Sequence, residues 1–152
     1  MKFIDEIKAR AKQDVKTIVL PETRDKRTLI AAAQVLKEGT AKIVMVGDEE
    51  KIKDGAHWLD VELDGITVVN PETSPKLDEY VNLLYELRKK KGMTLESARE
   101  QLLNNYIMFG VMMVKCKDAD GMVAGCCHAT ADVLRPSLQI LKTAPGTELV
   151  SG

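Results

Sequence analysis

Two hydrophobic periods take turns along this chain, and that alternation limits its fold more than any other feature. Thr17-Ile18-Val19-Leu20, Lys42-Ile43-Val44-Met45-Val46, Gly65-Ile66-Thr67-Val68-Val69 and Gly121-Met122-Val123-Ala124 are short β-rich runs, of the kind expected of strands buried on both faces. Between them Leu29, Ala32, Ala33 and Leu36 recur at helical spacing ahead of Gly39, and Tyr80, Val81, Leu84 and Leu87 do so ahead of Gly92. Each glycine stands where a helix C-terminus favours a left-handed residue. Phe109, Met112, Met113 and Cys116 add a third apolar stripe. The alternation predicts an α/β domain: three layers, αβα, around a largely parallel, doubly wound sheet with right-handed crossovers. Ligands of such sheets gather at the carboxyl ends of the strands. Three loops leave those ends: Pro21 to Arg27, Gly47 to Glu50 and Gly125 to Arg135.

Composition narrows the class of function. At 152 residues and 45% hydrophobic the chain can bury a core, and its formal net charge of -1 argues against a nucleic-acid protein held by bulk electrostatics. The apolar stretch from Ile107 to Val114 is too short to span a bilayer, and Asp5 and Glu6 stand where a signal peptide needs apolar residues. A cytoplasmic protein is expected. Cys126 and Cys127 are adjacent, with Cα atoms about 3.8 Å apart across a trans peptide, closer than a disulfide prefers. Either pairing with Cys116 would leave one cysteine over, so reduced thiols are expected. Neither His57 nor His128 falls in a zinc-like spacing, and no metal is predicted.

The stretch from Asp120 to Pro136 is a short apolar strand running into small residues and then an arginine. Glycine and alanine let a ligand approach the backbone, and a helix opening there aims unpaired N–H groups at an anion. Arg135 adds a planar charged fork that matches phosphate oxygens. Asp54 to Asp60 reads as a helix end and loop, and the plausible domain boundary lies near Pro145-Gly146, where a helix must stop.

Those same residues carry a resemblance. Gly121-Met122-Val123-Ala124-Gly125, His128-Ala129-Thr130-Ala131-Asp132, Leu134-Arg135-Pro136 and Gln139-Ile140-Leu141-Lys142-Thr143-Ala144-Pro145-Gly146 closely resemble phosphate acetyltransferases, within the phosphate acetyl/butyryltransferase family. Leu20 to Arg27 is similar to that family's first strand and exit loop, and Tyr85 to Gly92 to its mid-chain basic helix end. The resemblance runs in order along essentially the whole chain. It implies reversible transfer of an acetyl group between acetyl-CoA and inorganic phosphate, giving acetyl phosphate and CoA. It also implies a homodimer in the full-length enzyme, with small-molecule substrates and no nucleic-acid or membrane partner. A family-length chain is roughly twice as long, within the range of two domains. Residues 1–152 therefore read as the N-terminal part of the first α/β domain, lacking the second domain and a C-terminal return segment. The family's catalytic aspartate, serine and arginine lie in the absent half, so no catalytic residue is assigned and the segment is expected to be inactive alone. Two alternatives stand beside this: a phosphate butyryltransferase, and a noncatalytic phosphotransacetylase-like module for regulation or assembly.

The resemblance assigns Arg88 and Arg135 to coenzyme A. Taken by itself, Arg88 is also an ordinary cation at a helix C-terminus, and Lys89, Lys90 and Lys91 beside it are surface charge. Arg27 either faces the ligand rim or pairs with Asp25 or Glu22. Its neighbour Arg24 is the weaker candidate. His128 suits loop positioning or substrate contact rather than general-base work. Where many family members have serine after this histidine, the chain has Ala129, leaving Thr130 to supply a hydroxyl as N-cap or anion contact. Cys126 and Cys127 read as small residues at a strand end, not as nucleophiles.

Overall fold

The computed structural model describes residues 2–150. Its elements in chain order are α1 (Lys2–Gln13), β1 (Lys16–Leu20), α2 (Lys26–Glu38), β2 (Ala41–Val46), α3 (Glu49–Trp58), β3 (Thr67–Val69), α4 (Leu77–Arg88), α5 (Leu95–Asn104), α6 (Tyr106–Lys115), β4 (Gly121–Met122) and α7 (Thr130–Ile140). A 3₁₀ turn, Lys89–Lys91, extends α4. Four helices begin where a side chain satisfies a free N–H group. Asp25 caps α2, Asp48 caps α3, Asn105 caps α6, and Thr94 with Ser97 forms a capping box at α5. Gly39 and Gly92 adopt the left-handed conformation that stops the elements before them.

All four strands are parallel, in the order β3-β2-β1-β4. From β1 the chain moves outward to β2 and β3, then crosses back to lay β4 on the other side of β1. That reversal makes the gap between β1 and β4 a topological switch point, where a crevice opens beyond the carboxyl ends. Alternation along the strands divides the core in two. Ile18, Leu20, Ile43 and Met45 pack with Leu29, Ala32 and Ile52 from α2 and α3. Val19, Val44 and Val46 face Tyr80, Leu84, Leu102, Phe109 and Met112 from α4, α5 and α6. The predicted three-layer α/β architecture is the one found.

Several local expectations are revised. β3 begins only at Thr67, because Gly65 at φ +84° sits in a turn closed by Ile66 N–H on Leu63 C=O. β4 is cut to two residues as the chain swings away to the switch point. Helix α6 carries no stripe: every residue from Ile107 to Met113 is buried. It packs against both the sheet and helices α4 and α5, so close to β1 that a Cβ on Gly110 would stand 3.1 Å from Val19 Cγ1 and 2.9 Å from Met122 Sδ. Arg135 lies inside helix α7, not in a loop, one residue before a buried Pro136 that cannot donate to the Asp132 carbonyl. That helix ends at Ile140, ahead of Pro145, with Lys142 left-handed beyond it.

Candidate functional site

The exit loop of β1 and the exit loop of β4 are locked together at the switch point by one carboxylate. Glu22, 4% exposed, accepts the Gly125 N–H at 2.5 Å and the Cys126 N–H at 3.1 Å on Oε1, and the Cys127 N–H at 2.9 Å on Oε2. Oε2 also takes the Cys127 thiol at 3.1 Å and lies 2.7 Å from His128 Nδ1. Gly125, at φ +118°, supplies a backbone conformation that side chains rarely adopt and so turns successive N–H groups inward. The small-residue loop is thus an anion-binding nest, as expected, but the anion those three N–H groups hold is the protein's own. Burial alone raises the Glu22 pKa; the His128 hydrogen bond and the Cys127 and Gly125 donors outweigh it, holding the carboxyl well below its usual range. The same contact, after burial, pushes the Cys127 thiol up to about 12. A thiol so protonated is a poor nucleophile, which agrees with the non-nucleophilic reading.

Beside this lock opens a cavity of about 790 Å³, lined by residues of all four strand-exit regions and of the α5–α6 junction. His128 and Arg135 both line it, and so do Arg24 and Lys51. Arg24 lies with its guanidinium carbon 5.8 Å from the centre of the Tyr106 ring, a contact that steadies a cation near a wall. Four carboxylates share the lining, Glu22, Asp48, Glu72 and Asp132; Glu22 is turned to the nest and Asp48 accepts the Lys51 N–H. The cavity is large enough for a cofactor-sized molecule.

The remaining predicted residues lie elsewhere. Arg27 does not line the cavity. It pairs with Asp25 through two contacts, Nε to Oδ1 at 3.0 Å and Nη2 to Oδ2 at 2.8 Å, and donates to the Cys126 carbonyl at 2.6 Å. The Arg27 hydrogen bonds hold Asp25 at about 2. Arg88 closes α4 half-buried, away from the cavity lining. Thr130 is exposed as the first helical residue of α7; Ala129 holds the N-cap position and makes no side-chain cap bond. Sequence reasoning did not single out Glu22 or Lys51, and it held Arg24, which lines the cavity, weaker than Arg27, which does not. Glu22 was marked by its position, a carboxylate directly after the β1 exit proline, opposite a loop rich in N–H donors and poor in side chains.

The sequence model of one protein family, phosphate acetyl/butaryl transferase, matches residues 2–152. The phosphate acetyltransferase of Acetivibrio thermocellus is 54% identical over 99% of the chain, and that of Clostridium acetobutylicum 48% identical over all of it. The chain spans 45% of the length of each. The crystal structure of a phosphotransacetylase from Streptococcus pyogenes superposes with a TM-score of 0.91 at 35% identity, over 97% of this chain and 44% of that one.

Proposed function

The chain belongs to the phosphate acetyl/butaryl transferase family, and from that premise we propose that it serves the reversible transfer of an acetyl group between acetyl-CoA and inorganic phosphate, giving acetyl phosphate and CoA. Its own share is ligand binding. The observation that carries this reading is the convergence of Arg24, Lys51, His128 and Arg135 on one cavity at the switch point, a site built for an anionic ligand. In the synthetic direction the CoA sulfur attacks the acetyl carbonyl, an oxyanion forms, and phosphate leaves. Those steps call for a base, aimed donors and cations; the cavity offers the cations. Arg135 contacts a CoA phosphate, and His128 keeps the β4 exit loop in place through Glu22. Arg88 belongs to the CoA assignment on resemblance alone, from a position outside this cavity. Because the chain spans less than half of its relatives, residues 1–152 are assigned to the first α/β domain, and the chemical step to residues this chain does not contain.

Calorimetric titration of CoA into the chain tests the proposal. CoA is expected to bind, and Arg135→Ala to weaken it by about 1.5–3 kcal/mol, the range for a hydrogen bond to a charged group, with acetyl phosphate affected less. An assay of acetyl-CoA formation from acetyl phosphate and CoA is expected to show no turnover with this chain alone. Binding indifferent to Arg135, or turnover matching a full-length relative, overturns the corresponding half of the assignment.

A further inference from the structure

The lock that ties the two exit loops also assembles a donor set with a chemistry of its own. The Cys126 and Cys127 sulfurs and a Glu22 carboxylate oxygen all lie within 4.8 Å of one another. Two of the donors are adjacent in sequence; the third arrives from the far end of the chain, 104 residues from Cys126. We propose that Glu22, Cys126 and Cys127 form a three-ligand site for a thiophilic divalent cation of the zinc type, on the wall of the cavity that Glu22 and Cys127 line.

Donor softness sets the class. Two thiolates with one carboxylate favour zinc-like ions over magnesium or calcium, which take oxygen ligands. A tetrahedral ion at about 2.3 Å from each sulfur separates its ligands by about 3.5–4 Å, so the Cys127 sulfur and Oε2, 3.1 Å apart, open slightly, and the wider separations, none above 4.8 Å, close by about 1 Å or less. The exposed Cys126–Cys127 segment, bent and built of small residues, allows that movement. The hydrogen bonds already in place point the same way. Cys127 aims its thiol proton at Glu22 Oε2, so the cation enters where that proton sits. Two S–H bonds break, two metal–sulfur bonds and one metal–oxygen bond form, and both protons pass to solvent. His128, 2.7 Å from Oε2, acts as the outer partner that orients the carboxylate, as such partners do at metal sites. Three protein ligands leave the fourth position to water or to a group in the cavity. Nothing in this site depends on the identity of the reaction.

Cobalt(II) titration of the fully reduced chain near neutral pH provides the test, because thiolate-to-cobalt charge transfer absorbs in the near ultraviolet. The expected result is a band that saturates at one ion per chain and is displaced by zinc(II). Cys126→Ser and Cys127→Ser are each expected to weaken binding by more than about 100-fold, the upper end of the cost of losing an outer-shell partner; Cys116→Ser leaves it unchanged. Circular dichroism of each variant checks that the helices persist, and Cys→Ala versions replace any serine variant that fails. No thiolate band, a band that survives either replacement, dependence on Cys116, or one ion shared by two chains overturns the site.

Discussion

Glu22 shows how much one buried carboxylate can decide. Its pKa lies below the ordinary value of 4.5 in the folded protein, so its contribution to stability is fully present above that value and is lost as pH falls well below it. Glu22→Gln is therefore expected to destabilise the chain by about 1.5–3 kcal/mol near neutral pH, the range for hydrogen bonds to a charged group. Urea unfolding at several pH values checks this; the gap between the two proteins should narrow as the solution is made strongly acidic. The thiol beside it reports the same contact. With its pKa at about 12, Cys127 should be alkylated by iodoacetamide more slowly than an unperturbed thiol at mildly alkaline pH, and Glu22→Gln should speed it, as peptide mapping would show. Residue chemistry was partly legible in the sequence. The small-residue loop announced an anion site, and Arg135 and His128 stood in it; that its anion is Glu22 was hidden, because no local pattern pairs residues 103 apart.

Among the elements, helices were more legible than strands. Leu29 to Leu36 and Tyr80 to Leu87 gave clear periodicity with glycine stops, and both helices form there. Helix α6 was misread as one-sided, since burial on every side removes the polar positions that make a period visible. It also concentrates two tests. Asn105 receives the Met108 N–H at 3.2 Å; Asn105→Ala should cost about 1 kcal/mol, as loss of an N-cap does. Gly110→Ala should cost about 1–3 kcal/mol through overpacking, since the new methyl meets buried Val19 at 3.1 Å. Thermal unfolding of each variant measures both. If Gly110→Ala is neutral, helix and sheet have room to part that the packing does not suggest.

At the scale of the whole molecule, alternation of strand and helix foretold the layers, yet strand order depends on which side of β1 the last strand takes, and β4 pairs through only two residues. The apolar stripe expected at Phe109, Met112 and Met113 offers no surface for self-association, because all three are buried. Among the described residues Leu149 at 82% exposure, Trp58 at 80%, Phe3 at 72% and Val123 at 63% are the most exposed large apolar side chains, and helix α1 adds Ile4 and Ile7 beside Phe3; exposed apolar surface tends to associate. Sedimentation over a wide concentration range should show association that Phe3→Ser with Ile7→Ser reduces; a chain monomeric throughout would rule this surface out. No helix of the described residues is long and apolar enough to cross a membrane.

The bond between Glu22 and His128 spans 106 positions. During synthesis the N-terminal end emerges first, so β1, β2 and β3 can pair while β1 still presents a bare edge and Glu22 has no donor to accept from. Only when residues 121–128 leave the ribosome can β4 cover that edge and the nest close on the carboxylate. Closing so long a loop is slow relative to local helix formation. The cavity at the switch point is therefore completed late in the making of this chain, and a nascent protein stalled short of Gly125 would carry a nearly complete sheet without it.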